Sequence, residues 1–229
     1  MNLKFNLFKD KNQVELARKL IHITSILLPL YYKYVFKYNK KLTISVLVLM
    51  IAVCILFELL RFENRNFKKF FNWTFGIMLR KHEVVNFTGA SYLLISAIVC
   101  VAFFPPNIAF AAMAFLSIGD TFAALVGLNF GKRKFRNSNK SFEGLLACFI
   151  STLAFGLSFI LLDPIIYSYF PHLFPHLAPD IFTPLNPVIV FFGAIAACCA
   201  EAINIPIDDN VKIPIWSGIV MSVAYLFSG

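Results

Sequence analysis

The sequence predicts an all-α bundle of about seven membrane-spanning helices with a cytoplasmic N-terminus, and three observations carry that prediction. Of the 229 residues, 59% are hydrophobic and 14% charged, with a mean hydropathy of +0.74. A soluble domain is nearer half apolar and a quarter charged. Runs such as 42–60 and 144–162 carry almost no charge and are long enough to cross the hydrocarbon core at ~1.5 Å per residue. The third observation is where the cations fall. With spans at 20–36, 42–60, 87–104, 107–130, 144–162, 186–203 and 213–228, five Lys and Arg precede the first span. Six lie between residues 61 and 88, five between 131 and 143, and Lys212 adds another, so 17 of 21 share one side. Lys33, Lys37, Lys40 and Lys41 fall on the other side, and 163–185 holds no Lys or Arg. This is the positive-inside pattern. It assigns the net charge of +9 to membrane topology and argues against a nucleic-acid partner.

The chain reads as one membrane domain, 1–229. Residues 1–19 form a polar, helical lead-in, with Glu15, Arg18, Lys19 and His22 at spacings of three and four. No short apolar region with a small-residue cleavage site precedes the first span, so no removable signal peptide is expected. The inner connection 61–86 sets Phe62, Phe67, Phe70, Phe71 and Trp73 among basic residues, the pattern of an amphipathic helix in the interface. In the fourth span, Ala123, Gly127 and Gly131 line one face and predict close helix packing. Asp120 shares that face and is expected to point into the bundle. The 131–143 loop is short and basic. Pro164, Pro171, Pro175, Pro179 and Pro184 exclude a long helix from 163–185 and predict an extended outer loop. Within it, His172 and His176 read as loop residues rather than metal ligands, because the prolines deny them a common helix face. The seventh span is short and carries Pro214. Cys54, Cys100, Cys148, Cys198 and Cys199 all lie in apolar spans without zinc or disulfide spacing and read as small buried hydrophobes.

Three groups of residues point to chemistry. Asp120 is a carboxylate inside an apolar span, a costly placement that needs a cation, a metal ion or water as partner. The loop Gly131-Lys132-Arg133-Lys134-Phe135-Arg136 and the turn Lys140-Ser141-Phe142-Glu143-Gly144 follow it. Ammonium and guanidinium groups pair with phosphate oxygens, and the helix opening after Lys140 presents free N–H groups that favour phosphate. Ser141 also fits a simple N-cap, with Glu143 favourable in the first turn. The third group is Glu201 with Asp208, Asp209 and Asn210, which the topology puts on the same inner side as Lys132–Lys140. Oxygen ligands facing a polyphosphate are how Mg²⁺ is held, so acid, metal and phosphate together indicate nucleotide chemistry at a membrane surface. Adjacent aspartates between Pro206 and Pro214 also suit an ordinary turn. Glu58 with Arg61 and Arg80 with Glu83, each three apart, suit local salt bridges, while Arg18 and His22 suit inner-face anchors; all six are candidates for contact with a lipid or its headgroup.

In order along the chain, Glu15-Leu-Ala-Arg18-Lys19-Leu-Ile-His22, Phe57-Glu58-Leu-Leu-Arg61, Leu79-Arg80-Lys-His-Glu83, Ile118-Gly119-Asp120-Thr121, Lys140-Ser141-Phe-Glu143-Gly144 and Glu201…Asp208-Asp209-Asn210…Ile213-Pro214 resemble the CTP-dependent polyprenol and lipid kinases: dolichol kinase, phytol kinase and the fungal-type diacylglycerol kinase. The match spans about residues 15–220. The central stretch, Gly119 to Gly144, is also similar to phosphatidate cytidylyltransferase. That family's Ser-x-x-Lys-Arg and Asp-Arg-x-Asp-Ser motifs are missing here, which favours the kinase.

The resemblance implies phosphoryl transfer from CTP to the hydroxyl of a membrane lipid such as polyprenol, a phytol-like alcohol or diacylglycerol, assisted by Mg²⁺. It implies Gly131, Lys132, Lys134, Lys140, Ser141, Glu143 and Gly144 at the nucleotide, Asp120, Glu201, Asp208 and Asp209 at the metal, and Asp120, Asp208 or Asp209 in the proton step. The enzyme would be a multi-pass protein of a prokaryotic cytoplasmic membrane or the endoplasmic reticulum, with its site facing the cytoplasm. The oligomeric state stays open, a homodimer included. The alternatives are a CTP-using cytidylyltransferase and a small ion-coupled transporter, the latter lacking any inverted repeat.

Overall fold

The computed structural model describes residues 11–76, 79, 83, 86–135, 140–177 and 185–227. Among these the architecture is helical, with one isolated bridge between Lys134 and Ser141. The segment expected to hold the first span is one helical rod of changing pitch. Helix α1 (Lys11–His22) passes into a 3₁₀ turn (Ile23–Ile26), a short α2 (Leu27–Leu30) and a π turn (Tyr31–Val35). Lys37 and Tyr38, both in the left-handed region, reverse the chain. Asn39 then caps α3 (Lys40–Glu63) by accepting from the Leu42 amide at 3.1 Å. There follow α4 (Arg65–Phe75), α5 (Gly89–Phe103), α6 (Pro106–Phe130), α7 (Phe142–Tyr169), α8 (Pro187–Ala202) and α9 (Asp209–Leu226).

Each expected span falls on a helical segment, and α3, α6 and α7 are long and apolar enough to cross a membrane. Helix α6 is the axle of the bundle. From Ile108 to Thr121 every residue is buried, and α1, α5, α7, α8 and α9 pack around it. Small residues allow that crowding. A Cβ on Gly119 would meet Cys148 and Thr152 of α7, and one on Gly144 would press on Ala123 and Gly127 of α6. Close packing is thus what the Ala123, Gly127, Gly131 face does, and Asp120 is 4% exposed. By contrast α3 packs on α4 and α5 alone among the principal contacts and leaves most of its apolar surface outward.

Two stretches differ from the sequence reading. Helix α7 continues through Pro164 to Tyr169, so the connection to α8 starts later than expected. A helix-interior proline costs one backbone bond and crowds the preceding turn, which apolar helices tolerate, and Pro164 itself faces outward. Asp163, beside it, is held by an ion pair to the fully buried Lys33 at 2.5 Å. The second correction concerns Asp208 and Asp209. They lie in no turn: Asp208 is the N-cap and α9 begins at Asp209, with Pro214 inside the helix as the seventh span has it.

Within 61–86, residues 65–75 form α4. Asn64 caps it, Phe71 turns inward, and Phe70 and Trp73 stay exposed. Residues 1–10, 136–139 and 178–184, and with them Arg136, Pro179 and Pro184, lie outside the described residues, as does Arg80.

Candidate functional site

Four helix ends meet where α6 carries Asp120. From α1, Lys19 makes a buried ion pair with the Asp120 carboxylate, and His22 Nε2 stands 3.5 Å from the same oxygen. From the other side come Glu201, in the last turn of α8, and Asp209, in the first turn of α9. Asp120, Glu201 and Asp209 each offer an oxygen within 4.8 Å of the others. Three carboxylates this close repel one another, and lysines offset the charge. Lys140 lies 3.1 Å from Glu201 and 3.2 Å from Asp209, and Lys212 lies 2.7 Å from Asp209.

Helix geometry explains the arrangement. The C-terminus of α8 presents unpaired carbonyls and partial negative charge. Lys140 donates to the Glu201 carbonyl and Lys212 to that of Ile203 at 2.7 Å. At α9, the Asp208 side chain accepts from the Asn210 amide at 2.9 Å, which orients Asp209 in the favourable first turn. Burial works against the Lys140 ammonium, yet Glu201 and Asp209 outweigh it and raise its pKa above the usual lysine range. Glu201 Oε2 is buried with no hydrogen-bond partner among the described residues. A trio of hard oxygen donors with one buried oxygen unengaged fits a divalent cation such as Mg²⁺.

The basic loop folds back on the start of α7. The Phe135 amide donates to the Lys140 carbonyl at 3.0 Å and the Phe142 amide to that of Arg133 at 2.9 Å. Ser141 is the N-cap of α7, its Oγ accepting from Gly144 at 3.1 Å, and Gly131 and Gly144 fit closely around it. Glu143 accepts from the Arg133 amide, so its carboxylate holds the loop rather than joining the trio. Lys132, Arg133 and Lys134 are exposed.

Beside the cluster runs a cavity of about 780 Å³, walled by α1, α2, α3, α4 and α5. Its apolar wall includes Leu28, Val46, Leu47, Met50 and Leu93, and its lining runs from Lys19 to Phe36. Over a helical rod that is roughly 25 Å at ~1.5 Å per residue. Lys19, His22, Glu58, Glu83, Asp120 and Asn210 supply polar lining. Of the carboxylate trio, Asp120 alone also lines the groove.

The structure thus brings together Asp120, Glu201, Asp209 and Lys140 from four segments of chain. It sets Asp208 apart as a cap, and Ser141 and Gly144 as the packed start of α7. Arg18 pairs with Glu15, Arg61 donates to the Asn86 carbonyl at 2.8 Å, and Glu83 accepts from Gly89 at 3.2 Å. Sequence reasoning passed over Lys19 and Lys212 as site residues. Lys212 had a local signal, three residues after Asp209 on a helix; Lys19 shares a face with His22, but nothing in the chain places it beside Asp120.

No protein-family profile matches the chain, and no solved structure does. CTP-dependent diacylglycerol kinase 1 of Eremothecium gossypii is 28% identical over 226 residues, 93% of this chain and 68% of the relative. The protein of the same name from Saccharomyces cerevisiae is 24% identical over 91% of this chain and 72% of its own. A probable chloroplastic phytol kinase of Triticum aestivum is 32% identical over 143 residues, 60% of this chain and 43% of its own length.

Proposed function

Since its relatives include two CTP-dependent diacylglycerol kinases and a probable phytol kinase, we propose that this chain transfers the γ-phosphoryl group of CTP to the hydroxyl of a membrane lipid. The observation that carries the reading is the junction at Asp120, where a long apolar groove meets three carboxylates and their lysines. The products are a lipid monophosphate and CDP. The acceptor is a lipid alcohol of the diacylglycerol, phytol or polyprenol kind.

Phosphoryl transfer depends on positioning and charge neutralisation more than on covalent help. The groove holds the lipid chain, excludes water from it and presents the hydroxyl at Asp120. The hydroxyl oxygen bonds to the γ-phosphorus as the bond to the β–γ bridging oxygen breaks, and the hydroxyl proton passes to a carboxylate. Asp120 takes that role because it faces the lipid. Lys140 and Lys212, with Lys132 and Lys134 on the loop above, neutralise the polyphosphate. Glu201 and Asp209, with Asp120 beside them, would hold Mg²⁺ on the nucleotide side, which when bound supplies charge neutralisation to the phosphate oxygens. The seven-span topology with the N-terminus and site on the cytoplasmic side belongs to the same proposal, supported by the distribution of Lys and Arg.

The test is purified protein supplied with each of four γ-labelled nucleoside triphosphates against diacylglycerol, phytol and a short polyprenol. Labelled lipid monophosphate with CTP is the expected result. No label on any alcohol overturns the reading, and pyrophosphate with a CDP-lipid formed when phosphatidate replaces the alcohol identifies a cytidylyltransferase instead.

A further inference from the structure

Helix α5 begins on the wall of the groove, at Thr88, Gly89 and Ala90. A helix N-terminus draws anions through its free amides and its dipole. Left bare, this one would attract the phosphate of a phosphorylated lipid. A carboxylate from α3 already occupies it. Glu58 Oε1 accepts from the Thr88 amide at 2.7 Å, the Thr88 hydroxyl at 2.7 Å and the Ser91 hydroxyl at 3.1 Å. Glu83 Oε1 accepts from the Gly89 amide beside it. Glu58 itself lines the groove and is 2% exposed, and its Oε2 has no hydrogen-bond partner among the described residues. Arg61, one turn along α3, does not pair with it. The guanidinium donates to the Asn86 carbonyl and lies over the Phe62 and Phe71 rings.

From this geometry we propose that Glu58 determines specificity by charge: its carboxylate admits lipids with an uncharged hydroxyl head and rejects lipids that already carry phosphate. The inference rests on the lipid-kinase reading and adds a direction to it. A neutral alcohol meets no field penalty beside a carboxylate, whereas a phosphate monoester brings ~1.5 to 2 negative charges into a site of low dielectric constant, where like charges repel strongly. The reaction changes only the head of the lipid. A residue that distinguishes the two heads therefore favours entry of substrate and departure of product from one groove.

Equilibrium binding without nucleotide tests this on the full chain in neutral detergent, by displacement of a fluorescent fatty alcohol with four probes: phytol, phytyl monophosphate, dioctanoylglycerol and dioctanoylglycerol phosphate. Glu58→Gln keeps an acceptor oxygen for Thr88 and Ser91 and removes the charge. The expected result is that the wild type prefers each alcohol over its phosphate, and that E58Q lowers the ratio about tenfold by binding the phosphates more tightly. Ala90→Lys adds a cation to the same wall without touching the Glu58 bonds, and is expected to lower the ratio as well, so a poorly folding E58Q leaves the question decidable. Wild type that binds the alcohols, with a ratio unmoved in the folded variants, overturns this inference and leaves the kinase reading standing. Wild type that binds none of the four probes, nor a short polyprenol added as a fifth, overturns both.

Discussion

Lys19 and Asp120, 101 residues apart, form a buried ion pair that ties helix α1 to the central helix α6. Both side chains are about 5% exposed, so each charge depends on the other. Removing one partner of such a pair costs about 3–5 kcal/mol, because the remaining charge stays buried without compensation. Asp120→Asn and Lys19→Met are each expected to lower the thermal midpoint in detergent. The double variant should recover much of that loss, giving a coupling in a double-mutant cycle. Activity separates the roles, since all variants lacking Asp120 should fail to phosphorylate lipid however stable they are. A double variant no more stable than the sum of the two singles predicts would count against the pair.

Asp208 and Asp209 are neighbours with different work. Asp208 caps α9, so Asp208→Ala is expected to cost about 1 kcal/mol of stability while Asp208→Asn, another capping residue, costs little. Neither should alter kcat/KM more than a few-fold. Asp209→Asn removes the partner shared by Lys140 and Lys212 and is expected to lower kcat/KM by about 10²-fold or more, on the scale of losing a preorganised charge at a reacting centre. Steady-state kinetics of the three variants at saturating nucleotide checks the contrast, and equal effects at 208 and 209 would refute it.

How much of this was legible in the chain follows from which interactions are local. The inward turn of Asp120 was readable from the Ala123, Gly127, Gly131 face, because helical spacing alone fixes which residues share a side. The ordered motifs were readable as a resemblance to lipid kinases, and the relatives bear that resemblance out. Asp208-Asp209-Asn210 reads as acid ligands and also suits a turn, and the third possibility, a helix start with Asp at the cap and Asp in the first turn, is equally local. Pro164 reads as excluding a long helix, but a proline inside an apolar helix removes one backbone bond without ending the helix. The meeting of Lys19 with Asp120 and of Lys140 with Glu201 depends on how α1, α7, α8 and α9 pack around α6, and spacing along one chain carries no record of that. The groove likewise exists only once α1, α3 and α5 are set side by side.

His176, 7% exposed in the short 3₁₀ turn Pro175–Leu177, packs its ring against Tyr38 and Phe174. Burial, with Lys37 and Lys33 nearby, lowers its pKa below the usual histidine value of 6.5. A group with a depressed pKa in the fold binds fewer protons there than in the unfolded chain, so stability rises with pH through this window. The contribution of His176 is complete above about pH 6.5 and is lost as pH falls below it. Thermal midpoints of the wild type from pH 7.5 to 5 should decline, and His176→Phe should flatten part of that decline. An unchanged slope in the variant would assign the pH dependence to other groups.

Glu201 bears on the cation most directly, because its Oε2 is buried beside Asp120 and Asp209 with no hydrogen-bond partner among the described residues. An ion that binds the fold but not the unfolded chain stabilises by about 2.7 kcal/mol at a hundred times its dissociation constant. Wild-type protein in detergent is therefore expected to gain thermal stability as Mg²⁺ is raised in the presence of CTP, and to lose that gain on chelation. Glu201→Gln keeps the side-chain volume and an acceptor for Lys140 while removing one of three mutually repelling charges. Its metal-free midpoint should change little, but the cation-dependent gain should vanish. Glu143→Gln is the control, since Glu143 holds the loop backbone and stands outside the trio; its cation response should persist. If E201Q keeps the full Mg²⁺ response, the ion is held elsewhere and the carboxylate trio serves only to balance the lysines around it.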